Sequence, residues 1–170
     1  RQVGMYDEAD DEFARAIELL RDLDEPMILA RSLQNRGSLL ATRQRWSEAE
    51  ELATEALAIL DASDDPEPHV HIDVLLTLGQ VYVWTGRNEE SNAHGARAME
   101  IADTLDPDDR YRVAALRGAA SAHHEAGRHD QAEALDRQAY ELNVRLQGES
   151  NPMSGNLLWI CLLYTSDAAD

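Results

Sequence analysis

The chain has 170 residues, enough for one packed domain, and a formal net charge of −18 with a pI near 4.5. An acidic balance of that size argues against nucleic acid or anionic membrane as a partner, because both are recognised through basic patches. All fifteen basic residues are arginine, which fits a GC-rich coding bias better than a high-salt habitat. No apolar run reaches the roughly 18 residues of a membrane span. No secretory leader precedes Arg1, so the cytoplasm is the expected compartment.

The first residues, Arg1 to Met5, read as the end of a helix and a turn, which places the start of the chain inside a longer array. Helical periodicity then runs from about Tyr6 to Leu23, with Ala9, Phe13, Ala16, Ile17 and Leu20 on one face. Pro26, flanked by acids, opens a second helix to about Thr42, whose buried face is Ala30, Leu33, Gly37 and Leu40. Ser47 to Glu50 has the S-x-x-E pattern of a capping box. Behind it Ala49, Leu52, Ala53, Ala56, Leu57 and Leu60 form a core-facing stripe. Asp64 to Pro68 is a proline-punctuated loop. Further helices are expected over Val70 to Trp84, Asn88 to Leu105, Tyr111 to Glu125 and His129 to Leu146, with Met153 to Ile160 beginning another. No stretch alternates with the period of a strand.

The helices recur with a fixed spacing. Ala16, Ala56, Ala98 and Ala139 are separated by 40, 42 and 41 residues, and the turn positions Gly4, Gln44, Gly86 and Gly127 repeat the same intervals. Two markers in one register predict stacked helix pairs, each too small to bury its own apolar face. The expected division is a partial repeat at 1–23, repeats at about 24–63, 68–105 and 108–147, and the start of a further repeat at 152–160. Gly37 and Gly79, with Ala120 in the third copy, are expected to let neighbouring helices approach closely.

Residues Leu33, Gly37, Leu40, Ala49 and Ala56, then Leu75, Gly79, Tyr82 and Ala98, then Leu116, Ala120, Ala132 and Ala139, resemble tetratricopeptide repeats (TPR). The resemblance is to the roughly 42-residue variety of kinesin light chains and bacterial regulatory proteins. It includes the G-R-x-x-E-A turn, seen at Gly86 to Ser91 and Gly127 to Ala132, and a GESNP loop at Gly148 to Pro152. It implies an all-α fold of antiparallel helix pairs stacked as a right-handed α-solenoid. Several positions depart from the pattern. Arg36 stands at a usually apolar position, Ser91 replaces an alanine, Gly95 and Asp136 replace the larger side chain supplied by Phe13, and His123 sits where Leu40 and Tyr82 sit. Looser packing is therefore expected in the second and third repeats.

The last ten residues, Cys161 to Asp170, resemble the translation of a transposase-based sequencing adapter and are expected to be a non-native tail. Setting them aside removes the only cysteine, and with it any disulfide or thiolate-metal chemistry.

The resemblance implies that the first helix of each pair lines a partner-binding concave face. By that register the face holds Arg31, Gln34, Ser38 and Thr42, then Asp73, Leu76, Gln80 and Trp84, then Ala114, Arg117, Ser121 and His124. Asn35 matches an asparagine that in related repeats bonds a peptide backbone. The partner-binding candidates are Arg31, Gln34, Asn35, Gln80, Trp84, Arg117, Ser121 and His124, set against the plainer reading of a solvated helix face. Arg31, Asn35 and Arg117 suit an acidic or carboxylate-bearing segment, and Trp84 suits an aromatic anchor.

No catalytic or cofactor motif is present. His124, Glu125 and His129 approach H-E-x-x-H, but the histidines are five apart with Gly127 between them. No metal site is expected. The function implied is a non-catalytic scaffold for a protein or peptide, with self-association as a further reading. The alternative is the sensor or regulatory region of a bacterial serine/threonine kinase or transcription regulator.

Overall fold

Three prolines and three left-handed residues set where the helices of this chain start and turn. A computed structural model describes the backbone of residues 2–167 and the side chains of residues 5–159. The described residues contain α1 (Gln2–Arg21), α2 (Pro26–Thr42), α3 (Trp46–Asp61), α4 (Pro68–Trp84), α5 (Asn88–Ala102), α6 (Arg110–Glu125), α7 (His129–Gln147) and α8 (Pro152–Asp167), and no strand. Pro26, Pro68 and Pro152 each open a helix, where the missing N–H costs nothing and φ is already helical. Asp109 caps α6 by accepting a hydrogen bond from the Tyr111 N–H at 2.8 Å.

The three-residue turns after α2, α4 and α6 each place one residue in the left-handed region: Gln44 (φ 59°), Gly86 (φ 76°) and Gly127 (φ 72°). At the first, the Arg45 N–H donates to the Leu40 carbonyl and the Gln44 N–H to that of Ala41, both at 2.9 Å. The third repeats this with Arg128 to His123 and Gly127 to His124, again at 2.9 Å. These paired bonds form a Schellman motif, which satisfies carbonyls that the helix end would otherwise leave open.

Two local expectations are corrected. Gly4 is not a turn: α1 is continuous from Gln2, since nothing in its first ten residues breaks a helix. Ser47 and Glu50 do not form a capping box either. The left-handed turn ends at Arg45, which becomes the N-cap of α3 and makes no side-chain cap bond. Its guanidinium instead donates to Glu48, at 2.7 Å from Nε and 2.5 Å from Nη2. Arg87 and Glu90 repeat the pairing at α5.

Contacts divide the chain into two compact units, Arg1–Gly86 and Arg87–Asp170. In the first, α2 packs against α1, α3 and α4, and α3 also meets α4. Leu33, Leu40, Leu60, Val74 and Leu78 are all but fully buried, each side chain stabilising the fold by about 2 kcal/mol relative to exposure. In the second, α6 packs against α5 and α7, and α8 covers α7. Val113, Ala139, Leu142 and Leu157 form the core there, with Leu116 against them.

At Gly95, Asp136 and Ser91 the departures from the repeat pattern are closely packed. A Cβ added at Gly95 would come within 3.2 Å of the Ala119 Cα, so α5 and α6 meet backbone to backbone. Asp136 is 4% exposed, and the His124 Nε2 donates to its carboxylate at 2.9 Å. Ser91 is 2% exposed. Buried Asn143 donates to the Ser154 hydroxyl at 2.8 Å, which passes a bond to the Gly148 carbonyl at 2.9 Å and fastens α8 to α7.

Successive repeats are latched by equivalent residues. His71 of α4 reaches Asp61 at the end of α3 (3.2 Å), and Arg112 of α6 reaches Asp103 after α5 (2.9 Å). The two acids lie 42 residues apart and the two bases 41, so one junction is built twice with different side chains.

Candidate functional site

In a helix-pair repeat the first helix of each pair offers a regular row of side chains, and those on α2, α4 and α6 are the candidates here. On α2, Arg31 and Asn35 are exposed, four residues apart and so on one face. Arg31 lies 3.6 Å from Glu67, both side chains about half exposed, a surface ion pair that binds its partners weakly. Gln34 does not join them. It is only 8% exposed, because its position turns towards the packed side of α2.

On α4, Gln80 is exposed. Trp84 is 65% exposed, yet one face of its indole is occupied by Trp46 of α3, centroid to centroid at 5.8 Å and 10° from parallel. The expected anchor is therefore also a packing residue. Its geometry belongs to a junction that recurs: Asn88, at the position equivalent to Trp46, donates to the carbonyl of Glu125, which is equivalent to Trp84.

On α6, Ser121 is exposed and Arg117 partly so, and Arg117 has no ion-pair partner among the described residues. His124 is partly buried and bonded to Asp136, so it serves the contact between α6 and α7. The two rings His124 and His129 sit 6.1 Å apart. No three His, Cys, Asp or Glu side chains among the described residues are placed to hold a metal ion.

The first unit also holds a charge cluster that no sequence motif marks. Asp10 of α1 is 8% exposed and accepts from Arg36 Nε at 2.7 Å and Arg45 Nη1 at 2.6 Å. Burial pushes the Asp10 carboxyl up. The hydrogen bonds and charges of Arg36 and Arg45 outweigh it and leave the group below its ordinary range. Glu48 is held down chiefly by its bonds to Arg45, whose own pKa is raised by Glu48 and Asp10. The signal was visible as Arg36, the charged residue at an apolar position; its partner on α1 was not.

Among the described residues no helix is long and apolar enough to cross a membrane. At the other end of the chain, Met153, Leu158 and Trp159 expose apolar surface. The side chain of Ile160 and residues 168–170 lie outside what the structure describes.

Two family models, each described as tetratricopeptide repeat, match residues 29–60 and 71–143. No curated protein matches. Among solved structures, the crystal structure of BtubC (BKLC) from P. vanneervenii superposes with a TM-score of 0.73 at 18% identity. The superposition covers 89% of this chain and spans 62% of that one. At such identity the likeness establishes the helix-pair fold and nothing about partners. With the repeat spacing, the turns and both matches agreeing, the chain belongs to the tetratricopeptide-repeat family.

Proposed function

We propose that this chain is a non-catalytic scaffold that holds an acidic or carboxylate-bearing segment of another protein on the first helices of its repeats. Tetratricopeptide repeats are protein-interaction modules. The observation that carries it is the pair Arg31 and Asn35, exposed on one face of a helix fixed on three sides by α1, α3 and α4. A guanidinium and a carboxamide so presented can bond a carboxylate and a peptide backbone without ordering a loop first. Arg117 and Ser121 offer a second polar pair on α6.

The test is fluorescence anisotropy with a labelled acidic peptide carrying a free C-terminal carboxylate. Arg31→Ala and Asn35→Ala, made separately from Arg117→Ala, should each weaken binding several-fold while the melting curve stays in place. Affinity unchanged in all three variants would defeat the assignment.

A further inference from the structure

We propose that the cleft enclosed by α5, α6 and α7 is a second interaction site, which takes a basic amphipathic segment of a partner protein. It has a volume of about 310 Å³, a floor that includes Met99, Ala102, Leu116 and Leu142, and Gln138 and Glu141 at its rim.

The cleft is a consequence of register. Ala102 stands where the first full repeat has Leu60, a side chain 1% exposed, and Ala115 stands where α4 has the fully buried Val74. Leucine to alanine removes three carbons and valine to alanine two. These smaller side chains leave less to fill the space between α5, α6 and α7, and the cleft there has a lining that is part apolar and part polar. Its apolar part rewards an apolar group.

The rim decides the charge of what enters. Two arginines line the cleft, but both are engaged. Arg112 donates to the Ala102 carbonyl and to Asp103, each at 2.9 Å, and Arg145 to Asp108 at 2.9 Å and the Pro107 carbonyl at 3.4 Å. These bonds tie down the loop between α5 and α6. Glu141 has no hydrogen-bond or ion-pair partner among the described residues, so the charge still on offer is negative, in a chain of net −18. A lysine or arginine whose stem lies along the floor and whose cation meets Glu141 satisfies both features, with a neighbouring leucine filling the apolar volume. The site lies wholly in the second unit and prefers the opposite charge from Arg31 and Asn35, so either assignment can fail without the other.

The experiment is anisotropy with a labelled amphipathic peptide of leucine and lysine, and a leucine and glutamate peptide as control. The lysine peptide should bind at the cleft, whereas any binding of the glutamate peptide, which suits the Arg31 and Asn35 face, should be unaffected by changes at Ala102 and Glu141. Ala102→Leu should refill the floor and weaken binding by about tenfold, equivalent to one decade in Kd. Glu141→Lys should do the same, whereas Glu51→Lys, an equal charge change on an exposed position of α3, should have little effect. Circular dichroism establishes that each variant is folded, and if Ala102→Leu is not, the contrast between Glu141→Lys and Glu51→Lys decides. Equal losses at Glu141 and Glu51 would show general charge attraction and overturn the site, as would undetectable binding of the lysine peptide.

Discussion

The indole of Trp84, at the end of α4, stacks on that of Trp46, at the start of α3, with planes 10° apart and centroids separated by 5.8 Å. The pair joins the second helix of one repeat to the first helix of the next. Stacked aromatic pairs add about 1 kcal/mol beyond the area they bury. Trp84→Ala should therefore lower the stability of the first unit by at least that amount. A double-mutant cycle with Trp46→Ala should show coupling of about 1 kcal/mol. Additive losses in urea melts would mean that the two rings are merely neighbours.

Asp10 ties three helices together through Arg36 and Arg45. Asp10→Asn keeps the shape but removes the charge that both arginines bond, and should destabilise by about 2 kcal/mol. The pH dependence has a definite sign. The Asp10 carboxyl is depressed on folding, so its contribution is complete above the ordinary carboxylate value near 3.8 and is lost as pH falls through its lower folded value. Glu48 shifts in the same direction. Wild type should lose stability below about pH 4 more steeply than Asp10→Asn; parallel acid melts would contradict the network.

His123 occupies the place of Leu40 and Tyr82, and its Nδ1 accepts from Arg128 Nε at 2.8 Å. Burial, then the charges of Arg128 and His124, push its pKa below the ordinary 6.5. Folding thus prefers the neutral ring. Its contribution is complete above pH 6.5 and is lost as pH falls through that value towards the folded pKa. His123→Leu should raise the melting temperature and flatten its change between pH 7.5 and 5.5, conditions chosen to straddle the ordinary histidine value. An unchanged slope would place the pH dependence elsewhere.

Backbone positions separate three substitutions that sequence alone treats alike. Gln44 sits at φ 59° with a side chain that gains nothing from it, so Gln44→Gly should stabilise by about 1 kcal/mol. Gly37 has room for a methyl group, with its nearest neighbour 3.5 Å from an added Cβ. Gly37→Ala should then gain about 0.5 to 1 kcal/mol of helix propensity. Gly95→Ala should lose stability, because the added carbon meets the Ala119 backbone at 3.2 Å and a backbone cannot rotate away. Thermal melts of the three variants give the order directly. Equal effects at Gly37 and Gly95 would contradict the packing distances.

How much was legible follows from the range of each interaction. The helices of α2, α4, α6 and α7, the turns at Gly86 and Gly127 and the buried stripe of Ala49, Ala53, Ala56 and Leu60 were all readable. Proline, glycine and helical period act within a few residues of chain, so their consequences are written locally. The S-x-x-E at Ser47 misled because a left-handed residue three positions earlier had already set the helix start. Pairings across repeats were not readable. Arg36 finds Asp10 26 residues away and Trp46 finds Trp84 across a whole repeat. Gln34 is buried by helices whose approach no local pattern encodes. The sequence by itself determined that this chain is an array of helix pairs with a 40–42-residue period. Tertiary structure alone decided which polar residues bond inward and which, such as Arg31, Asn35 and Glu141, remain at the surface, because that choice depends on volumes and charges brought together only when the helices stack.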